Sequence, residues 1–226
     1  MNTPSIANQV REHRSLLASR EKLALVWMAH RLPRWVGPDH LTALGLLSML
    51  LAGVAYWAAR YHAGALVLVV AGLVLNWFGD SLDGTVARVR KLERPRYGFY
   101  VDHVVDSISA LFLFGGLALS GYMNPLVALG LLVAYLMVMA ESFLATYVRG
   151  IFRLSSFGFG PTELRIILAI GTLYLLYRPL VRLGSYGPFL LFDIGGVVAI
   201  AGLMITLTVS AVRNTRALYD EERLQS

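Results

Sequence analysis

Six stretches of this chain, residues 41–59, 63–79, 104–120, 125–147, 164–180 and 189–212, are apolar over close to the length that crosses a lipid bilayer. A hydrocarbon core of about 30 Å takes about 20 helical residues, and a helix satisfies its backbone N–H and C=O groups within its own segment. The expectation is therefore all-α: a polytopic membrane protein of six transmembrane helices. Apolar residues make up 57% of the chain and mean hydropathy is +0.61, which excludes an ordinary soluble domain.

Six spans put both termini on one side, and the cations choose which. Every Lys and Arg except Arg60, Arg178 and Arg182 falls in the amino-terminal arm, the loop from Arg88 to Arg96, the connection from Arg149 to Arg165, or the carboxy-terminal tail. Positive charge is retained on the cytoplasmic side, so both ends are expected there. The net charge of +6 is then a matter of topology and anionic lipid, and nucleic acid is not an expected partner. The chain has no cysteine, which removes disulfides and thiolate chemistry.

Residues 6–30 interleave Val10, Leu16, Leu17, Leu23, Leu25, Val26 and Trp27 with Arg11, Arg14, Arg20 and Lys22. This suits an amphipathic helix lying in the membrane interface; a solvated leader helix is the other reading. No continuous apolar stretch of the kind a secretory signal needs is present there. Pro33 and Pro38 break the chain before the first span, giving an arm of residues 1–37, a membrane domain of residues 38–214 and a cytoplasmic tail of residues 215–226. No internal repeat or inverted pair of broken spans is evident, which weighs against common transporter architectures.

Against this apolar background stand Asp80, Asp83, Asp102 and Asp106, where the second and third spans continue past the membrane as helices and meet the basic loop. An ionised side chain at a bilayer centre costs roughly 2.5–3.5 kcal/mol on insertion scales, so four of them require compensation. At about 100° per residue, Asp80, Asp83, Gly84 and Ala87 share one narrow helix face with Arg88 at its edge. Asp102 and Asp106 are one turn apart on the next helix, and Gly98 precedes them by a turn. Two adjacent helices can thus aim four carboxylates into one cleft. Oxygen donors without cysteine or paired histidine suit a hard cation, Mg²⁺ or Mn²⁺. The small Gly84 and Ala87 leave room beside the carboxylates, where a nucleotide diphosphate would fit. Arg88 suits phosphate oxygens, while Arg90, Lys91, Arg94 and Arg96 read either that way or as topology signals.

The string from Asp80 to Asp106 resembles the signature of the CDP-alcohol phosphotransferases: Asp, two residues, Asp-Gly, two residues, Ala-Arg, a variable gap, Gly, three residues, Asp, three residues, Asp. Every fixed position is filled, with a nine-residue gap. The six-span layout is similar too, and Pro38-Asp39-His40-Leu41-Thr42 resembles the family's Pro-Asn-x-x-Thr opening of the first span, with Asp39 in place of Asn. The resemblance implies an integral membrane enzyme of phospholipid synthesis, using Mg²⁺ or Mn²⁺ and forming a homodimer. An acceptor hydroxyl attacks a phosphorus of a CDP-alcohol and CMP leaves. It implies Asp80, Asp83, Asp102 and Asp106 as metal ligands, with Asp106 also deprotonating the acceptor. Asp80, Gly84, Ala87, Arg88, Gly98 and Thr42 would meet the CDP part.

The short chain favours CDP-diacylglycerol as donor and a small polar acceptor, in a bacterial or archaeal plasma membrane or a eukaryotic membrane of the endoplasmic-reticulum type. The reversed arrangement takes CDP-choline or CDP-ethanolamine and diacylglycerol. A cation-coupled transporter or divalent-metal channel would also explain intramembrane acids, but not Gly84, Ala87, Arg88 and Gly98 at these offsets. A membrane-embedded prenyltransferase would want an acid where Ala87 stands.

Other polar residues are less determined. Glu141 lies inside the fourth span, and either lines the acceptor pocket or pairs with a cation such as Arg149. Arg149, Arg153 and Arg165 would hold the phosphate of a phosphorylated acceptor, or are positive-inside charges touching headgroups. His103 points about 100° away from Asp102 and is expected to pack, and Asp193 is expected to cap or bond between helices.

Overall fold

A computed structural model describes residues 10–11, 18–149, 151–152 and 161–222. Among them are seven helices, α1 (Ala18–Arg31), α2 (Pro38–Ala59), α3 (Ala65–Val89), α4 (Pro95–Leu119), α5 (Pro125–Arg149), α6 (Pro161–Leu175) and α7 (Leu191–Glu221). The all-α membrane class is borne out. Five of the helices, α2, α3, α4, α5 and α7, are long and apolar enough to cross a membrane.

The expected fifth span, residues 164–180, is shorter than its apolar run. At 15 residues α6 reaches about 22 Å, less than a full hydrocarbon core. Its last bonds tighten to i→i−3, Leu176 N to Leu173 O at 3.2 Å and Tyr177 N to Tyr174 O at 3.0 Å, just before Pro179, which lacks an N–H and disfavours helix at the residue preceding it. The chain then forms an antiparallel hairpin, β3 (Leu180–Leu183) with β4 (Tyr186–Leu190), and the last span starts at Leu191 rather than residue 189.

The amino-terminal arm is also corrected. Val10–Arg11 is not helical but a strand, β1, paired in parallel with β2 (Ile151–Phe152), and α1 begins at Ala18. The rest of the expected helix before Ala18 lies outside the described residues. One face of α1 is seated on the membrane domain: Leu25 and Ala29 are buried with Leu41, Leu82 and Val86. The opposite face leaves Leu23 and Trp27 exposed, with the Arg31 guanidinium 4.2 Å from the Trp27 ring.

Helix α2 is the central post. A Cβ at Gly72 would lie 2.9 Å from Ser48 O, at Gly79 2.5 Å from Leu41 O, and at Gly53 2.2 Å from Phe112 O, so glycine lets α3 and α4 approach it backbone to backbone. The core around Met49, Tyr56, Leu66, Leu117 and Phe192 fills the far half. There the Tyr56 hydroxyl and Thr172 Oγ1, 2.6 Å apart, join α2 to α6. Outer faces carry exposed Leu47, Val54, Val67, Leu111, Leu129 and Ile205, as lipid contact requires.

Candidate active site

The aspartate-bearing turns extend beyond the apolar windows, as expected: α3 runs on to Val89 and α4 starts at Pro95, a residue whose fixed φ and missing N–H suit a helix start. Carboxylate oxygens of Asp80, Asp102 and Asp106 all lie within 4.8 Å of one another, each side chain half-buried. At such separations two like charges repel by roughly 3 kcal/mol with an effective dielectric constant near 20. Three oxygen donors facing one point fit a divalent cation. Arg165 supplies protein charge: its Nη2 donates to Asp80 Oδ2 at 2.5 Å, with both side chains largely buried.

Asp83 stands beside this trio rather than in it. Its Oδ2 accepts from the Thr42 hydroxyl at 2.6 Å and its Oδ1 from the Gly84 N–H. Thr42, expected to meet the CDP part, is thereby tied to an aspartate of the signature. Ala87 is half-buried and Arg88 exposed, its Nη2 donating to Thr85 Oγ1 at 3.2 Å. A Cβ built at Gly84 would come 3.4 Å from the Arg88 guanidinium, whereas one at Gly98 would meet nothing within 4 Å.

The loop cations are divided. Arg90 donates to the carbonyls of Leu32 and Val36 at 2.8 and 2.6 Å, and so fastens the arm below α1. Arg94 pairs with Asp39 and lies 4.1 Å from the Tyr97 ring centre. The hydrogen bond it donates to Asp39 raises the Arg94 guanidinium pKa above its ordinary value. The aspartate at position 39 thus has a partner in the α3–α4 loop.

Glu141 and Arg149 do not pair directly. Asn214 of α7 stands between them, donating to Glu141 Oε1 at 2.7 Å and accepting from Arg149 Nη1 at 2.9 Å. With Ser142, Ser210 and Arg213 they line a polar cavity of about 30 Å³. Arg165 faces Asp80 instead, and Arg153 lies outside the described residues. His103 packs as expected, stacked on Phe99 at 4.1 Å and edge-on to Phe143 at 4.8 Å, with Nδ1 2.7 Å from Phe99 O. Asp193 accepts from the Asn124 N–H at 2.6 Å, the interhelical bond foreseen for it.

Tyr135 of α5, within electrostatic reach of Asp106, Arg165 and Asp80, and the α7 residues Arg213 and Asn214 were not singled out from sequence. Tyr135 is a single polar tip in an apolar run, and the α7 pair sits among the tail's topology charges, so neither belongs to a spacing pattern.

Residues 35–210 match the CDP-alcohol phosphatidyltransferase family, and the chain belongs to it. Archaetidylinositol phosphate synthase of Methanothermobacter thermautotrophicus is 32% identical over 109 residues, 46% of this chain and 53% of that protein. Cholinephosphotransferase 1 of Gallus gallus is 30% identical over 126 residues, 50% of this chain and 37% of that protein. The matches thus span about half or less of these relatives' length. The fold is shared with the crystal structure of Mycobacterium tuberculosis phosphatidylinositol phosphate synthase with CDP-DAG bound, at a TM-score of 0.57 and 19% identity, covering 86% of this chain and 93% of that one.

Proposed function

We propose that the protein transfers a phosphatidyl group from CDP-diacylglycerol to the hydroxyl of a small polar acceptor, releasing CMP. The observation that carries this is the meeting of Asp80, Asp102 and Asp106 oxygens within 4.8 Å at the ends of two helices. These three, with Asp83 adjoining, would hold Mg²⁺ or Mn²⁺, which when bound neutralises diphosphate charge and favours CMP departure. Asp106 takes the proton of the acceptor hydroxyl. The acceptor oxygen then bonds the phosphorus that carries diacylglycerol, and the bond from that phosphorus to the bridging oxygen breaks, the oxygen leaving with CMP. The open space at Gly98 and the small Gly84 and Ala87 admit the CDP part beside Arg88, as does Thr42 beside Asp83.

We assign the acceptor side to Arg165 at the cluster; the polar cavity between α5 and α7, at about 30 Å³, has room for little more than a water. A guanidinium beside the carboxylates suits an acceptor with both phosphate and hydroxyl groups. The likeness to a phosphate synthase of inositol lipids favours that class. The likeness to a cholinephosphotransferase supports a second reading, in which CDP-choline is donor and diacylglycerol acceptor. We further place both termini and the site at the cytoplasmic face, from the distribution of cations, and infer a homodimer from family membership.

The test supplies purified protein with Mg²⁺ or Mn²⁺ and labelled CDP-diacylglycerol, offers each acceptor in turn, and measures CMP and lipid product; a parallel arm uses CDP-choline with diacylglycerol. Chelation is expected to abolish turnover and Mn²⁺ to restore it. Asp106→Asn is expected to cost at least about 100-fold in turnover while retaining donor binding, since general-base contributions run about 10²–10⁴-fold. A protein that moves cations but releases no CMP from either donor is a transporter or channel instead.

A further inference from the structure

A carboxylate outside the signature ties together the turns that bear Asp80 and Arg165. Glu21, in the first turn of α1, lies on the same stripe as Leu25, Met28 and Leu32, the face seated on the membrane domain. Its Oε1 accepts from Trp77 Nε1 at 2.7 Å and from Thr162 Oγ1 at 2.8 Å. Trp77 is three residues before Asp80 on α3, and Thr162 is three residues before Arg165 on α6. In a helix that offset stacks one side chain over the other on the same face. A single oxygen therefore joins a residue one turn from Asp80 on α3 to a residue one turn from Arg165 on α6.

Helix α6 needs such a tie. It is short, and its far half is held to α2 by the buried hydroxyl pair of Tyr56 and Thr172. The near half, which carries Arg165, is fixed across to α3 by Arg165 itself and through Glu21. A guanidinium on a long side chain keeps its place beside a carboxylate only if its backbone does, because holding four rotatable bonds in one geometry is entropically costly.

We propose that Glu21 is a positioning residue that holds Arg165 against Asp80, so that docking of the amino-terminal arm sets the charge balance of the aspartate cluster. This rests on the reading of the cluster as a metal-dependent transfer site. Arg165 and a bound cation compete for Asp80, and Glu21 decides how firmly Arg165 competes.

The test is a double-mutant cycle on the full chain: wild type, Glu21→Ala, Arg165→Gln and both together, read by kcat/KM for transfer and by Mn²⁺ affinity from electron paramagnetic resonance. Coupled residues of one network deviate from additivity, so Glu21→Ala is expected to lower kcat/KM about tenfold in the native background and less than about twofold where Arg165 is already absent. Mn²⁺ is expected to bind severalfold more tightly after Glu21→Ala, with no such change in the Arg165→Gln background. Thr162→Val should reproduce the Glu21→Ala behaviour and Thr162→Ser should not. Equal fold losses in both backgrounds, the mark of a purely structural role, overturn the proposal, as does an unchanged Thr162→Val. A wild type that binds Mn²⁺ but releases no CMP sinks the transfer reading and leaves the Mn²⁺ cycle to decide this one. A wild type that binds no Mn²⁺ overturns both.

Discussion

Two glycines about five turns apart on α4 occupy opposite kinds of surroundings. At Gly116 an added Cβ would lie 2.1 Å from the Gly53 carbonyl oxygen, with backbone on both sides of the contact. At Gly98 it would meet nothing within 4 Å. At Gly116 the space a side chain would take is filled by α2, whereas at Gly98, one turn from Asp102, it stands open. The membrane half of α4 is a packing element fitted to α2; its aspartate-bearing end leaves open space at Gly98. The signature marks Gly98 and not Gly116, and identical substitutions should separate them.

Gly116→Ala carries the largest expected effect. No flexible side chain can yield to the new methyl, so α2 and α4 must part, and overpacking of this kind costs about 1–3 kcal/mol or more. The fraction of protein that stays folded and monodisperse in detergent after heating should fall well below wild type. Survival equal to wild type would mean that the α2 to α4 seam is not where the fold is held. The same exchange at Gly98 should have the reverse sign. Alanine is the better helix former by up to about 1 kcal/mol, so heat resistance should be unchanged or slightly improved, while transfer falls about tenfold or more because the methyl enters the donor's space. Transfer at the wild-type rate would show that the donor does not approach Gly98.

The contrast also marks what was legible beforehand. Helical offsets of three and four residues place Asp80 with Asp83, and Asp102 with Asp106, and the apolar runs bring α3 and α4 to one end of the bundle. What periodicity reports is the face of one helix, not the neighbour that face meets. Asp83 turning to Thr42 joins residues 41 apart in sequence, Arg165 to Asp80 joins residues 85 apart, and Thr162 to Glu21 joins residues 141 apart. None has a spacing rule. Hence Arg165 read as a holder of acceptor phosphate or a topology charge, Asp83 as a fourth member of the cluster, and Glu21 as nothing in particular. The short α6 was hidden for a different reason: an apolar run continues to Leu180, and only the turn before Pro179 shows that helix and run do not coincide.

The smallest effect sharpens the comparison at the aspartate-bearing end of α4. Where mid-membrane α4 is held to α2 by backbone contact, the start of α4 is linked to the start of α2 by Arg94 and Asp39, whose side chains are 51% and 57% exposed. Charges so open to water interact weakly, and salt screens them further, the Debye length falling from about 8 Å at physiological ionic strength to about 3 Å at 1 M. Asn at position 39, the residue the family resemblance leads one to expect there, keeps the acceptor oxygen and removes the charge. Asp39→Asn should therefore shift heat resistance less than either glycine exchange, and the difference from wild type should vanish at 1 M salt. The freed Arg94 adds positive charge at the cleft mouth, so KM for an anionic donor at low salt should fall modestly, by about twofold, and return to the wild-type value as salt rises. A large loss of stability that persists at 1 M salt would mean that the aspartate-bearing end is clamped as tightly as the membrane half, and the division between a packed seam and an open end along α4 would no longer hold.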